Sequence, residues 1–169
     1  MELYEGLITR RSIRVYTTDE IDYREIEHIV NAGMYAPSAV NCQPWHFMVI
    51  DDREIFRKIM DIHPYAKMLR GARYAILVMG DEKLEHAPGY WAVDCAAATQ
   101  NILLAAHAKG IGSVWLGLHP RAERKKGIQR LFDLPPHIQP FSLIALGYPA
   151  EEKEIPRRFD KNRIHYNQW

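Results

Sequence analysis

The sequence predicts one domain in which helices and strands are mixed. The chain has 169 residues, a typical length for one domain, and 47% of them are hydrophobic, which is enough to fill a core. Short apolar runs that suit strands alternate with longer stretches that carry the 3.6-residue period of helices. The sequence contains no internal repeat and no linker, so residues 1–169 are expected to form a single domain.

Helical patterns occur in five segments. One helix should begin near Asp22, because this side chain can cap a helix and Glu25 follows three residues later as in a capping box. Ala36 and Pro37 should stop it. The longest pattern is rich in alanine and apolar nearly all round, which predicts a central buried helix that ends at Gly110. This longest helix is expected at 90–109. The other three helices are expected at 2–10, 54–62 and 121–132.

Strands are predicted where short runs are rich in apolar and β-branched residues. The nearly all-apolar run at 74–79 suits a strand that is buried on both faces. Residues 10–16 are expected to form an irregular or extended link. The four predicted strands cover 45–50, 74–79, 113–118 and 141–146.

The character of the chain changes at Ala150. Residues 151–154 are all charged, and the segment after them carries apolar and aromatic side chains without any periodicity. These side chains need a surface to cover, which can belong to the same domain or to a partner. Residues 150–169 are therefore expected to form an arm.

Charge and cysteine content exclude several classes of protein. A net charge of +1 argues against a protein that binds nucleic acid through bulk charge. Cys42 and Cys95 lie far apart, which fits a reducing compartment better than a disulfide framework. No apolar run approaches the roughly 20 residues that span a bilayer, and the acidic start does not resemble a signal peptide. We expect no membrane partner and a cytoplasmic location.

Metal and nucleotide motifs are also absent from the sequence. None of the eight histidines takes part in a pattern with metal-ligand spacing, so no metal is expected. Neither a dinucleotide fingerprint nor a phosphate-binding loop of the Walker type occurs. Cys42 has no evident base nearby in the sequence, which makes it a poor candidate for a catalytic thiolate.

A basic cluster follows the first predicted helix. Arg10, Arg11 and Arg14 place three guanidiniums within five residues, with Ser12 between them. Arginine forks and a hydroxyl match the acceptor oxygens of a phosphate monoester. The alternative is a solvated basic link, since arginines near a helix C-terminus are favoured by the helix dipole.

Two further segments suit a flat ligand. Residues 36–47 form a loop fixed by two prolines, and its neutral hydrogen-bonding side chains match the edge of an uncharged heteroaromatic ring. At 113–120 a strand ends at a glycine, where backbone amides can approach a ligand closely. The alternatives are an ordinary capped loop, with Trp45 and Phe47 in the core, and a plain exit from a strand.

Taken together and in this order, these segments resemble the nitroreductase family of flavoproteins. The resemblance runs from Leu3 to Trp169 and is carried by RRSIRVY, APSAVNCQPWHF, AKML, GIGSVWLGLHP, LIALGYP and RFDKNRIHYNQW. It implies an α+β fold with a mostly antiparallel central sheet flanked by helices. It also implies an intertwined homodimer, packed through the long central helix, in which the arm at 150–169 crosses to the partner subunit and adds a strand there.

The resemblance also implies an activity. Members of the family bind FMN, take a hydride from NADH or NADPH and reduce a nitroaromatic, a quinone or a similar small acceptor. Other flavin chemistry in the same fold, such as dehalogenation or conversion of the flavin, and a flavin-binding or storage module remain as alternatives. No side chain is assigned as catalytic, because the flavin carries the hydride.

Residues of this chain that match the family's motifs are implied to contact FMN. Phosphate and ribityl contacts are implied for Arg10, Arg11, Ser12 and Arg158. Arg14 and Lys67 resemble the basic pair beside flavin N1 and O2, and the backbone of Leu116 and Gly117 resembles the segment that faces N5 and O4. The loop that reaches the flavin from the partner subunit is represented by Pro37, Ser38, Ala39, Asn41 and Gln43.

Overall fold

A four-stranded antiparallel sheet lies at the centre of the computed structural model, which describes residues 2–169. The order across the sheet is β1-β2-β4-β3, so β1 and β3 are its edges. Every neighbouring pair is antiparallel, which confirms the predicted α+β fold. The strands are β1 (Trp45–Ile50), β2 (Tyr74–Asp81), β3 (Gly112–Gly117) and β4 (Ile138–Gly147).

Both central strands are longer than predicted. β4 begins three residues before the predicted strand, at Ile138, and includes Pro140. The register shifts between Val78 and Met79, so that Val78 pairs with Ser142 and Met79 with Pro140. A proline cannot donate to the ladder, and a bulge is one of the places where a sheet tolerates it. The predicted strand at 141–146 began after Pro140, whereas the bulge allows the strand to include it.

Five helices flank the sheet, at α1 (Leu3–Thr9), α2 (Tyr23–Met34), α3 (Arg53–Ile62), α4 (Tyr90–Ala108) and α5 (Ala122–Leu131). The Asp22 side chain caps α2, as predicted, by accepting a hydrogen bond from the amide of Arg24 at 2.9 Å. The Glu25 carboxylate forms an ion pair with Lys109. Gly110, with φ of 72°, follows the end of α4, which agrees with the predicted stop.

The core has two layers, one on each face of the sheet. Helices α2 and α4 cover one face, where Ile76 and Val78 of β2 are buried. Helices α3 and α5 cover the other face, where Leu77 and Met79 are buried. Successive residues of a strand point to opposite faces, so this alternation confirms that β2 is buried on both sides.

The link after α1 runs along the free edge of β3. Ser12 forms a parallel bridge with Ser113, and the amide of Ile13 donates to the carbonyl of Ser113 at 2.9 Å. Tyr16 bridges to Pro149 and its ring lies against Gly147, where a Cβ would stand 2.6 Å from Tyr16 Cγ. The predicted extended link is thus fastened to the sheet at both ends.

The C-terminal arm leaves the body of the domain after residue 154. Every residue from 152 to 169 is exposed, including Phe159, Tyr166 and Trp169. Its only regular element in the described chain is a 3-10 turn at Lys161–Arg163. The crossing of this arm to a partner stays a prediction. Within residues 2–169, no helix has the length and apolar character needed to cross a membrane.

Candidate functional site

A cluster of positive charge forms where α1 meets the arm. Arg10 follows the last residue of α1, and its guanidinium is half-buried. Burial lowers the pKa of Arg10, and the nearby charges of Arg11 and Arg158 lower it further. The fold therefore brings Arg158, although it is distant in sequence, near enough for its charge to act on Arg10. Like charges held together in this way favour the binding of an anion.

Arg11 serves a different purpose from its neighbour. Its Nε donates to the carbonyl of Glu154 at 3.0 Å, and Nη2 donates to the carbonyl of Ile8 at 2.7 Å. Nη1 donates to the carbonyl of Arg10. Three of its five N–H groups are engaged with backbone oxygens. Arg11 therefore fastens the arm to the end of α1, in addition to adding charge beside Arg10.

The predicted basic pair, Arg14 and Lys67, lies on two neighbouring segments. Both side chains are exposed. Lys67 begins a 3-10 turn at Lys67–Arg70, and Gly71 at the end of that turn faces Tyr16, with a Cβ there 3.9 Å from Tyr16 Cδ2. The carboxylate of Glu151 accepts from the backbone amides of Arg14 and Val15, which fixes the segment that carries Arg14. The turn that carries Lys67 therefore lies beside the link that carries Arg14.

The two predicted flavin contacts on strand β3, Leu116 and Gly117, point their backbone groups in opposite directions. Antiparallel pairs alternate between hydrogen-bonded and non-bonded positions. Leu118, one residue beyond the strand, donates to Phe141 at 3.1 Å, and Ser113 accepts from Ile13 on the opposite side. By this alternation Leu116 points its N–H and C=O toward β4, whereas Gly117 points both groups toward the free edge. Of these two residues, Gly117 is therefore the one whose N–H is available to a ligand.

Two side chains that sequence reasoning missed contact the carbonyl of Gly117. His63 lies 3.1 Å from this oxygen through Nε2, and Arg124 donates to it from Nη1 at 2.9 Å. His63 follows the end of α3 and is only 2% exposed. Nothing in the sequence pattern marks either residue, because their partner is a backbone oxygen 54 positions from His63.

The loop before β1 has a strained backbone. Val40, Asn41 and Gln43 have φ values of 52°, 55° and 50°. Asparagine tolerates this region, but a β-branched residue rarely adopts it. Strain of this kind costs on the order of 1–3 kcal/mol per residue and persists only when the surroundings impose it. Val40 is also 74% exposed, so the loop presents an apolar side chain outward from a fixed backbone.

Hydrogen bonds within the loop and from α4 hold this shape. The amide of Gln43 donates to Ser38 Oγ at 2.9 Å, and Gln43 Nε2 donates to Asn41 Oδ1 at 3.1 Å. The amide of Ala39 donates to Asp94 Oδ1 at 3.0 Å, while Pro37 is exposed at the start of the loop. Asp94 is 4% exposed and is a third residue, after His63 and Arg124, that sequence reasoning missed. A single acid within an otherwise apolar helix was the available signal.

One chain does not bring this loop to the arginine cluster. The loop precedes β1 at one edge of the sheet, whereas Ser12 and Gly117 lie along β3 at the other. Three strand spacings separate the two edges, which is about 14 Å. The start of β1 and Gly117 do lie at the same end of the strands, because Phe47 pairs with Val78 and both Val78 and Gly117 pair with Ser142.

The described residues add two observations on reactive groups. Between residues 2 and 169, no group of three or more His, Cys, Asp or Glu side chains is placed to hold a metal ion. Cys42 and Cys95 are free thiols. Burial, followed by the charge of Asp94, raises the pKa of Cys95 to about 12, so this thiol stays protonated near neutral pH.

Comparisons with known proteins agree with this architecture. A family model described as the Nitroreductase family matches residues 7–63 and 63–148. A Methanothermobacter thermautotrophicus protein, provisionally named NADH dehydrogenase/NAD(P)H nitroreductase, is 48% identical over 169 residues, covering 100% of this chain and 88% of the relative.

Solved structures show the same fold. A crystal structure of a Parabacteroides distasonis protein with the same provisional name has a TM-score of 0.94 and 34% identity, covering 98% of each chain. A Desulfovibrio desulfuricans protein, described provisionally as a nitroreductase in complex with FMN, has a TM-score of 0.86 and 32% identity, covering 98% of this chain and 96% of that one. The chain described here belongs to the nitroreductase family.

Proposed function

We propose that this protein is an FMN-dependent oxidoreductase that takes a hydride from NADH or NADPH and reduces a nitroaromatic, a quinone or a similar small acceptor. Family membership confirms the prediction of a nitroreductase-type oxidoreductase. The names of the Methanothermobacter and Desulfovibrio relatives support NAD(P)H and FMN, respectively, for this chain.

The main support for this proposal comes from strand β3. Residues suited to bind a phosphate lie beside its start, and a residue suited to face a flat ring lies at its end. Arg10 and Arg158 gather beside the start of the edge strand β3, where Ser12 pairs with Ser113. Gly117 ends the same strand, four residues further on, which is about 13 Å of extended chain. An elongated ligand with an anionic end and a flat aromatic end fits this arrangement. FMN has that shape and charge.

The ring end is open to a flat molecule. A Cβ built on Gly117 would meet nothing of the chain nearer than the carbonyl of His119, at 3.9 Å. The Gly117 N–H points to the free edge and can donate there. Arg14 and Lys67 supply exposed positive charge, which favours negative charge developing on a bound ring. These residues fit the flavin contacts that the family resemblance implies.

In this proposal, each flavin site is completed by a loop from a partner subunit. The loop with Pro37, Ser38, Ala39, Asn41 and Gln43 lies across the sheet from Gly117 in its own chain, so a second copy would supply it. Helix α4 leaves Val93 67% exposed, and Ala97 and Leu104 on the same side are only partly buried. The exposed aromatic groups of the arm require a further surface. A homodimer would cover both.

FMN, when bound, accepts a hydride from the nicotinamide and delivers it to the acceptor. The chain's own residues bind the phosphate, orient the ring and leave one face open. Residues 2–169 form one domain and contain no second nucleotide-binding module that would hold NAD(P)H apart from the acceptor. The two substrates would therefore use the same opening in turn, which gives ping-pong kinetics. We place this activity in the cytoplasm.

Absorbance spectroscopy tests the cofactor and the activity together. Purified protein mixed with FMN should show a flavin spectrum that is retained after gel filtration and that bleaches when NADH or NADPH is added. Adding p-benzoquinone or a nitroaromatic should restore the colour. Failure to retain FMN would overturn the proposal, and binding without bleaching would favour a flavin-binding or storage module instead.

Steady-state kinetics test the shared opening. Double-reciprocal plots of rate against NAD(P)H at several acceptor concentrations should be parallel. Intersecting lines would require NAD(P)H and acceptor to be bound at the same time. That result would overturn the ping-pong proposal while leaving the flavin assignment intact.

A further inference from the structure

His63 is held on both sides of its ring by backbone groups. The amide of Tyr65 lies 3.2 Å from Nδ1 and donates to it. A nitrogen that accepts a hydrogen bond carries no proton, so the neutral ring must carry its proton on Nε2. That N–H then points at the carbonyl of Gly117, 3.1 Å away. The two backbone contacts together select one tautomer and one orientation of the ring.

Arg124 approaches the same oxygen from α5. Its Nη1 donates to the Gly117 carbonyl at 2.9 Å and lies 3.3 Å from His63 Nε2. The Tyr65 ring supports the guanidinium, which stands 5.6 Å from the ring centroid. Burial, followed by the charge of Arg124, lowers the pKa of His63, so the ring remains neutral near pH 7. A neutral donor and a cationic donor thus share one carbonyl.

Gly117 needs such support more than other residues of β3. It has no side chain to pack, and its N–H and C=O point away from β4, toward the free edge. Glycine also has more conformational freedom than any other residue. The two donors on its carbonyl replace the ladder bonds that a central strand would supply. The N–H and C=O of a strand residue point to the same side, so a carbonyl held in strand geometry favours the matching direction of the N–H on the preceding peptide.

We propose that His63 and Arg124 are positioning residues that clamp the carbonyl of Gly117 and so aim its N–H at the reactive edge of the bound flavin. This inference rests on the proposed function, because it requires the flavin ring to lie against Gly117. Neither side chain needs to touch FMN. Their effect passes from the peptide that carries the Gly117 carbonyl, across the Cα of Gly117, to the preceding peptide that carries its N–H. Preorganised donors are effective because they need no rearrangement during the reaction.

Four variants separate positioning from general stability. His63→Leu removes the donor, and His63→Gln retains an amide N–H that can reach the carbonyl. Arg124→Met removes the second donor but keeps the apolar stem. Arg130→Met is the matched control, because Arg130 is an exposed arginine on the same helix. For each variant we would measure FMN affinity, the visible spectrum of bound FMN and the rate constant for bleaching by NADH.

If the two residues clamp the carbonyl, their loss should affect the rate of flavin reduction much more than the affinity for FMN. FMN affinity should change less than about threefold, because the phosphate is bound at the other end of β3. The flavin spectrum should shift, and the bleaching rate constant should fall about tenfold or more in His63→Leu and Arg124→Met, since small misplacements of a reacting group have effects of this size. His63→Gln should recover part of the rate. Arg130→Met should match the wild type.

Other outcomes would overturn the inference. In one such outcome, Arg124→Met and His63→Gln keep the wild-type flavin spectrum and bleaching rate, while the rate in His63→Leu falls only as far as its melting temperature does. This combination would indicate a purely structural role. Nitrogen-15 NMR of the protein without FMN provides an independent check, since it should show His63 as the neutral Nε2–H tautomer. A different tautomer would refute the clamp itself, whereas failure of wild-type protein to bind FMN would refute the proposed function.

Discussion

Residues 10–16 and residues 37–43 both carry predicted FMN contacts, but the chain holds them in different ways. The first segment is bonded to the edge of the sheet through Ser113 and Pro149, and the charge of Arg158 of the same chain acts on its Arg10. The second is a strained loop at the opposite edge, held by Asp94 and by its own hydrogen bonds. One segment is completed within its chain, whereas the other presents its groups away from it.

This difference is what the proposed division of the site between two subunits would require. The arginine segment gains its partners by folding, so in this proposal each chain would supply the phosphate-binding end itself. The loop keeps strained φ angles at Val40, Asn41 and Gln43 without a described use for its outward side chains. A second copy would give the loop that use. If so, the two segments should depend on the dimer to different degrees.

The largest effect is expected from removing Ile155–Trp169. Residues 150–154 stay in this variant, because the amide of Ala150 donates to Val15 and Glu151 fixes the segment that carries Arg14. The deletion removes Arg158 and all exposed aromatic groups of the arm. We expect loss of the dimer in light scattering and at least a hundredfold weaker FMN binding, since the arginine and the partner's loop are lost together.

Full-length Arg158→Ala is the matched control for this deletion. It should remain dimeric, because it keeps the apolar side chains of the arm. A truncated protein that stays dimeric and binds FMN like the wild type would contradict the crossing of the arm.

The next largest effect is expected at the phosphate end. Arg10→Ala and Arg158→Ala should each weaken FMN binding by roughly tenfold to a hundredfold, because a hydrogen bond to a charged group contributes about 1.5–3 kcal/mol. Arg163→Ala serves as the control, since this exposed arginine of the arm pairs with Asp160. Fluorescence titration of FMN gives the affinities. Unchanged affinity in both variants would show that the phosphate lies elsewhere.

The sequence predicted most of the fold, and the assignment of the phosphate end of the site stays a prediction. Helix α2 and strand β1 agree with their patterns, because an Asp22 cap and an apolar run are local signals. Arg10 and Ser12 lie on one short segment, so their proximity was also local. The positions of His63 and Arg124 depend on how α3 and α5 pack, which no local pattern encodes. The loop's role remains a prediction from family resemblance.

A smaller effect is expected on stability as the pH falls. Burial and the charge of Arg124 lower the pKa of His63, and burial also lowers the pKa of His107 and His119. The unfolded chain therefore binds more protons than the folded one as the pH drops through the usual histidine range, near 6.5. The free energy of unfolding should decrease between about pH 7 and pH 5.5.

Substitution of His63 should reduce this dependence. Urea unfolding of His63→Gln across the same range should give a shallower loss of stability than the wild type. Equal pH dependence in His63→Gln and wild type would mean that His63 is not held neutral by the fold.

Mixed dimers test the division of the site between subunits most directly. One chain would carry Arg10→Ala with Arg158→Ala, and the other Asn41→Asp with Gln43→Glu, each with a different affinity tag. Each homodimer should fail to retain FMN. If arginines and loop come from different subunits, the purified mixed dimer has one wild-type site and one doubly altered site, and it should retain about one FMN per dimer. If each chain builds a complete site alone, both sites of the mixed dimer are defective and no FMN is retained, which would contradict the shared site.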